Sequence, residues 1–250
     1  MTSVRAAADR LVRSPVFVLS SIRSGSTLLR CLLNSHPRIY APHELHVAEL
    51  GVDLSTRYVR LATDVAGLDQ DELTHLLWDR VLHRQLTAAG KDVIVDKTPS
   101  NVLVWQRIAA CWPEARFVFL LRHPARILDS ALEVRAPDKT VDDVHDMVED
   151  FLTAMRDAMA NLDGLTVRYE DLTHDPATVT QQLCTFLGVA WDPAMLDYGR
   201  HDHGPFVPGI GDFTAEIRTG RILPETVQID PSDVPEALRP AGRAWGYLPA

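Results

Sequence analysis

A short loop near the start of the chain has the residue types and spacing of a phosphate-binding turn. The run SSIRSGST begins at Ser20, and aligned with the pattern G-x-x-x-x-G-K-[ST] it places Gly25 on the second glycine and Thr27 on the hydroxyl residue. Ser20 replaces the first glycine and Ser26 replaces the lysine. Backbone N–H groups of such a turn, with the positive end of the following helix dipole, bind anions. Arg23 supplies a cation within the loop in place of the missing lysine.

The residue after a later apolar run indicates a second anion site and argues against magnesium chemistry. Kinases and other NTPases place an acidic residue after a hydrophobic strand to hold Mg²⁺. Here residues 117–121 are followed by Arg122. A guanidinium cannot chelate a metal, but it binds phosphate well. The sequence therefore predicts a nucleotide that carries a second, separate phosphate, such as one phosphorylated at the 3′ position.

Both motifs also have a structural interpretation that the sequence leaves open. The loop could be an ordinary turn in which Ser24 or Ser26 caps a helix. Residues 122–124 could simply begin a helix, because proline is favoured at the first helical position. Asp171 or Thr173 could likewise cap a later helix.

Apolar runs and helical spacing alternate along the chain. Continuous apolar and β-branched runs, typical of strands covered on both faces, lie at residues 15–21, 92–95, 115–121 and 165–168. Helical spacing occurs at residues 27–34, 72–89, 101–111, 124–134, 141–162 and 177–187. The alternation predicts an α/β fold with a P-loop-like central parallel sheet flanked by helices. Ligands of such sheets bind at the carboxyl ends of the strands, where both motifs would lie.

Near the C-terminus the chain becomes irregular. Residues 197–224 are rich in glycine and proline and show no clear periodicity. A stretch of this kind within a compact domain is usually functional, so we predict a lid. We expect residues 1–250 to form a single domain that carries this lid.

Composition narrows the class of protein. A net charge of −9 and a pI of about 5.5 argue against nucleic-acid or anionic-membrane partners. No apolar run reaches the roughly 18 residues of a membrane span, and residues 16–19 are too short for a signal-peptide core. Three widely spaced cysteines in apolar surroundings suggest buried thiols and a cytoplasmic location. Arginine and alanine are abundant and only three of the 25 cations are lysine, which hints at a GC-rich bacterial genome.

Taken together, the motifs resemble sulfotransferases that use 3′-phosphoadenosine 5′-phosphosulfate (PAPS), over roughly residues 15–190. Residues 23–29 are similar to the 5′-phosphosulfate loop of that family, which implies that the donor is bound by Arg23, Ser24, Gly25, Ser26 and Thr27. Arg122 and Ser130 resemble the pair that grips the 3′-phosphate, and eight residues span about two turns of helix. Tyr169 resembles the tyrosine beside the adenine. In the predicted lid, the resemblance extends loosely to a basic segment that could clamp the 3′-phosphate, formed by Arg218, Gly220 and Arg221.

The resemblance also implies catalytic groups. Lys97 matches the lysine on the leaving-group side, and with Arg23 it would absorb charge on the leaving phosphate without a metal. The branch that sulfates phenols and steroids has a histidine two residues later, where this chain has Pro99. Residues 36–46 are instead similar to the tyrosylprotein sulfotransferases and many bacterial relatives, which makes Glu44 the first choice for general base. His46 is the alternative, because its ordinary pKa lies nearer neutrality.

Other functions remain as hypotheses at this stage. A P-loop kinase or NTPase would share the anion loop, and a non-catalytic nucleotide-binding module could keep the whole fold. A more distant candidate for the base is His43, and metal binding is conceivable at His43, Glu44 and His46 or at residues 201–203. The acidic chain favours a small or carrier-bound hydroxyl acceptor, or a neutral sugar or lipid headgroup. The sequence does not indicate the oligomeric state.

Overall fold

A parallel sheet organises the computed structural model, which describes residues 10–205, 207, 210–211, 216–226 and 229–249. Within these residues five strands are arranged in the order β2-β3-β1-β4-β5, and every neighbouring pair is parallel. The strands are β1 (Val16–Ser20), β2 (Ile39–Tyr40), β3 (Val93–Asp96), β4 (Arg116–Leu121) and β5 (Gly164–Arg168). The predicted α/β fold with a central parallel sheet is confirmed.

Helices connect and cover the strands. In the described residues the α-helices are α1 (Ser26–Asn34), α2 (Arg57–Ala66), α3 (Gln70–Ala89), α4 (Trp105–Cys111), α5 (Pro124–Glu133), α6 (Val141–Asn161), α7 (Tyr169–His174), α8 (Pro176–Leu187) and α9 (Arg239–Ala244). Short 3₁₀ segments lie at Val47–Glu49, Pro99–Val104, Pro193–Arg200, Glu216–Thr219, Pro231–Asp233 and Glu236–Leu238. The sequence pattern did not predict β2, α2, α7 or α9. It assigned one helix to residues 101–111, where the chain instead runs from a 3₁₀ segment into α4.

Successive residues of β1 contribute to two cores on opposite faces of the sheet. Phe17 and Leu19 pack with buried residues of α3, α4, α5 and α6, whereas Val16 and Val18 pack with those of α1 and α8. Every residue of β1 is buried, because helices cover both faces. This is why the run shows no polar alternation. The three cysteines are free and buried, as predicted.

The register of the sheet brings the chemically interesting loops to one edge. Ser20 at the end of β1 pairs with Leu120 of β4, and Leu121 pairs with Arg168 at the end of β5. The chain therefore leaves the sheet side by side at the anion loop, at Arg122 and at Tyr169. The strands β2 and β3 lie on one side of β1, and β4 and β5 lie on the other. The strand order therefore reverses at β1, which is the switch point where open α/β sheets bind ligands.

Only part of the predicted lid can be described. Residues 206, 208–209 and 212–215 lie outside the described residues, whereas Pro193–Arg200 and Glu216–Thr219 form 3₁₀ segments. These two segments meet through glycines, since a Cβ atom built on Gly220 would lie 2.8 Å from the Cα of Gly199. The Tyr198 hydroxyl also donates to the carbonyl oxygens of Ile217 and Arg221, at 3.2 and 3.1 Å. Among the described helices, none has the length and apolar character needed to cross a membrane.

Candidate active site

The anion loop keeps its helix N-terminus open. Arg23 has a φ of 57° and Gly25 a φ of 82°, so the backbone turns sharply twice before α1 begins. Gly25 is the N-cap residue, and no side chain caps the helix. The Ser24 hydroxyl donates instead to the carbonyl oxygen of Ser21 at 2.7 Å. The alternative in which Ser24 or Ser26 caps the helix is therefore wrong, and the first N–H groups of α1 face the site without a side-chain partner.

Tyr169 lies directly against the loop. A Cβ atom at position 25 would come within 2.2 Å of two ring carbons of Tyr169, and the positive φ also favours glycine. Burial raises the pKa of the Tyr169 hydroxyl. The glycine that the phosphate-binding pattern predicts at position 25 is thus required by two independent constraints.

Three further predicted donor-binding residues meet at this point. The Arg122 guanidinium lies over the Tyr169 ring, with its carbon 4.5 Å from the ring centre. Its Nη1 donates to the carbonyl oxygen of Arg23 at 2.9 Å. The Arg23 Nε in turn donates to the Ser130 hydroxyl at 3.1 Å. Residues far apart in the sequence therefore form one cationic pocket.

Two members of this pocket were missed by the sequence reasoning. Glu225 accepts a hydrogen bond from Arg122 Nη2, and its Oε2 lies 3.7 Å from Arg126 Nε. Arg126 could have been found, because it precedes Ser130 by four residues and so shares its helix face. Glu225 gives no such signal, since it lies 103 residues beyond Arg122.

The candidate base lies between two partners. One oxygen of Glu44 accepts a hydrogen bond from the Lys97 ammonium, and the other lies 3.3 Å from His46 Nε2. The Lys97 side chain is 1% exposed, and burial lowers its pKa even though Glu44 opposes that shift. A carboxylate accepts about four hydrogen bonds in total, so Glu44 keeps lone pairs for a third group.

Glu49 extends this cluster and was also missed. His46 Nδ1 lies 2.7 Å from Glu49 Oε1, and the Ser100 hydroxyl donates to the same oxygen at 3.2 Å. The spacing of three residues between His46 and Glu49 is a signal that the sequence reasoning did not use. His46 thus bridges two carboxylates that both line the cavity, of which Glu44 is 9% exposed and Glu49 is 63% exposed to solvent.

A buried carboxylate fixes the backbone of the base segment. Asp96, at the end of β3, accepts hydrogen bonds from the Thr98 hydroxyl at 3.0 Å and the Asn101 amide at 3.1 Å, and from the backbone N–H of Leu45. The Thr98 oxygen also accepts from the backbone N–H of His46 at 3.3 Å. Burial raises the pKa of Asp96, although these hydrogen bonds oppose the shift. Asp96 and Thr98, at the end of β3, therefore fix the backbone between Glu44 and His46.

Replacing Glu49 by glutamine is expected to lower the pKa of His46. Burial lowers this pKa, but the hydrogen bond and charge of Glu49, followed by Glu44, outweigh burial and raise it above its ordinary value of about 6.5. Protonated His46 therefore stabilises the wild-type fold fully below that value, and this contribution is lost as the pH rises through the raised pKa. The readout is the NMR titration of the His46 ring. Glu236→Gln, which removes an exposed carboxylate elsewhere, should leave the titration unchanged. An unshifted His46 in Glu49→Gln would contradict the assigned cause.

A cavity of about 470 Å³ joins the cationic pocket to the Glu44 cluster. Most of the predicted residues line it, namely Arg23, Gly25, Ser26, Thr27, Glu44, His46, Arg122, Ser130, Tyr169 and Arg221. Of the remaining described candidates, Ser24 is buried beneath the loop, Lys97 is buried against Glu44, Arg218 is exposed, and Gly220 packs on Gly199. The lining also includes Glu49, Glu133 and Phe151.

Two of the histidines considered for metal binding, His46 and His203, contact other groups. Among the described residues, no three His, Cys, Asp or Glu side chains form a group suited to a metal ion. Both ring nitrogens of His203 are within hydrogen-bond distance of other groups, at 2.8 Å from the Tyr198 carbonyl oxygen and 3.2 Å from Asn34 Nδ2. Burial, together with the charges of Arg30 and Lys97, lowers the pKa of His43.

Comparisons with known proteins agree on one family. A sequence model described as "Sulfotransferase family" matches residues 15–193. Nodulation protein NoeE of Sinorhizobium fredii is 30% identical over an alignment of 212 residues that covers 71% of this chain and 50% of that protein. Protein-tyrosine sulfotransferase 1 of Danio rerio is 23% identical over 202 residues, covering 73% of this chain and 55% of that protein. The chain thus spans about half the length of these curated relatives.

A solved structure is similar over nearly the whole chain. The sulfotransferase domain from the curacin biosynthetic pathway superposes with a TM-score of 0.72 at 22% identity, covering 95% of this chain and 99% of that domain. At this identity the match supports the fold alone. It extends beyond residue 193, where the family model ends.

Proposed function

This chain belongs to the sulfotransferase family, and we propose that it transfers a sulfuryl group from PAPS to an acceptor hydroxyl without a metal. The observation that carries the proposal is the single cavity that joins a cationic pocket around Arg122 to the carboxylate of Glu44. The first end suits a nucleotide with two phosphates, and the second suits the removal of a proton from an alcohol.

The donor is proposed to lie across the carboxyl edge of the sheet. Its 5′-phosphosulfate would accept hydrogen bonds from the loop N–H groups at the start of α1, with Arg23 beside it. Its 3′-phosphate would bind Arg122 and Ser130, which Arg23 already links by hydrogen bonds. Tyr169 would lie beside the adenine. Arg221 lines the same cavity. The 216–224 segment, which also contains Arg218 and Gly220, would therefore close over the donor.

Transfer requires an in-line arrangement of acceptor oxygen, sulfur and bridging oxygen. The new bond forms between the acceptor oxygen and sulfur, while the bond from sulfur to the 5′-phosphate oxygen breaks and leaves adenosine 3′,5′-bisphosphate. Glu44 accepts the acceptor proton through a lone pair that Lys97 and His46 leave available. Lys97 and Arg23 stabilise the negative charge that develops on the leaving phosphate.

The acceptor is proposed to be a small or carrier-bound alcohol. Glu49 and Glu133 line the cavity in addition to Glu44, so an anionic acceptor would be repelled. The buried free thiols fit a cytoplasmic enzyme.

The test compares two adenine nucleotides by isothermal titration calorimetry. Adenosine 3′,5′-bisphosphate is expected to bind about 10²-fold more tightly than ADP, because only the former presents a 3′-phosphate to Arg122. Equal affinities, or ATP turnover that depends on Mg²⁺, would instead favour the kinase or NTPase hypothesis. A tight bisphosphate complex with no sulfate transferred from PAPS to a broad panel of alcohols would favour a non-catalytic module.

A further inference from the structure

A carboxylate occupies the pocket proposed for the 3′-phosphate. Glu225 accepts a hydrogen bond from Arg122 Nη2 and lies 3.7 Å from Arg126 Nε. Its side chain is 9% exposed and that of Arg122 is 12% exposed, so water screens the pair little. The backbone N–H of Glu225 donates to the Thr173 hydroxyl at 3.2 Å, which fixes the chain on the other side.

The carboxylate leaves part of this pocket unsatisfied. Among the described residues, the buried Nε atoms of both Arg122 and Arg126 have no hydrogen-bond partner. Unpaired buried N–H groups are uncommon in folded proteins, so these two donors remain available to a ligand. A phosphate has more terminal oxygens than a carboxylate and carries up to two charges, so it can satisfy several of these donors at once. The pocket is therefore better matched to phosphate than to the glutamate in it.

Glu225 and a 3′-phosphate cannot both occupy this position. Two anions beside one guanidinium repel each other strongly where water is largely excluded. Glu225 also belongs to the segment 221–226, and two residues of this segment, Arg221 and Leu223, line the cavity. Displacement of its side chain would therefore be transmitted to the wall of the donor site.

We propose that Glu225 is a built-in competitor for the 3′-phosphate, which weakens binding of the 3′-phosphorylated nucleotide and couples that binding to movement of the 221–226 segment. A nucleotide that lacks the 3′-phosphate cannot displace it, so the pocket stays closed by its own ion pair. A nucleotide that carries the 3′-phosphate replaces it and releases the 221–226 segment to rearrange over the donor. This inference rests on the proposed function, because it takes the donor to be 3′-phosphorylated.

The test is the affinity of Glu225→Gln for adenosine 3′,5′-bisphosphate and for adenosine 5′-phosphate, measured by calorimetry. The variant should bind the bisphosphate about tenfold more tightly than wild type, as expected if the open pocket is populated about a tenth of the time. Affinity for the monophosphate should change less than about twofold. Asp171→Asn is the matched control, since it removes an exposed carboxylate near Thr173 and should alter neither affinity.

A second measurement checks the release of the segment. Hydrogen exchange in residues 221–226 of the nucleotide-free protein should be faster in Glu225→Gln than in wild type, because the ion pair that holds the segment is gone. Unchanged or weaker bisphosphate binding by Glu225→Gln would overturn the inference while leaving the proposed function intact, provided that wild type prefers the bisphosphate. If wild type shows no such preference, both fail.

Discussion

Glu44→Gln is expected to lower kcat by about 10²- to 10⁴-fold, the usual contribution of a positioned general base. Glutamine keeps the size of the side chain and an acceptor oxygen for Lys97, but it cannot take a proton from the acceptor hydroxyl. Binding of adenosine 3′,5′-bisphosphate should change little, because Glu44 lies at the other end of the cavity from Arg122. The measurement is sulfate transfer from PAPS under saturating donor, alongside calorimetric binding of the bisphosphate.

The control for this experiment concerns folding. Glu44 is the partner of the buried Lys97 ammonium, and removing one partner of a buried ion pair costs about 3–5 kcal/mol. A lower Tm is therefore expected for Glu44→Gln. Its kcat should be calculated from the concentration of folded protein, which is measured by bisphosphate binding. If Glu44→Gln retains full turnover whereas His46→Asn loses it, the base is His46 instead.

The second large effect is expected from Arg122→Ala. Loss of a buried, hydrogen-bonded charge partner costs about 2–5 kcal/mol in binding, so affinity for adenosine 3′,5′-bisphosphate should fall by at least about 30-fold. Affinity for adenosine 5′-phosphate should fall by only a few fold, because this ligand offers nothing to the pocket around Arg122. The informative quantity is the ratio of the two losses.

Matched variants separate charge from geometry at this position. Arg122→Lys keeps the charge but loses the planar group that lies over Tyr169, so it should recover the preference only in part. Arg200→Ala removes an arginine whose side chain is 82% exposed, and it should leave both affinities unchanged. If Arg122→Ala loses the same factor of affinity for both nucleotides, Arg122 does not contact the 3′-phosphate.

The parts of the fold that were predicted are those with strong local patterns. The buried strands β1, β3 and β4 are continuous apolar runs, and the long helix α6 has clear amphipathic spacing. In contrast, β2 has only two residues, so it has no periodicity of its own. It exists because Ile39 and Tyr40 pair with β3. Helix α2 was missed although its apolar residues recur at helical spacing, and none of its residues is buried in the structure.

In the candidate site too, the residues that were predicted lie in segments with a local sequence pattern. Arg23 and Arg122 lie in short motifs next to predicted strands, and Glu44 lies in a segment that resembles a family pattern, so all three could be proposed from the sequence. Glu225 could not be proposed, because its contact with Arg122 depends on where an irregular segment returns to the sheet. No local pattern encodes a contact of this kind, which is set by the tertiary fold.

The contact between Gly199 and Gly220 determines how this region can be re-engineered. Because the two backbones are in close contact, the Pro193–Arg200 segment and the turn at Gly220, directly after Glu216–Thr219, cannot be exchanged one at a time between related enzymes. A side chain on either glycine would force the segments apart and displace Arg221, which lines the cavity. A chimera designed to change this wall of the cavity should therefore transplant both segments together.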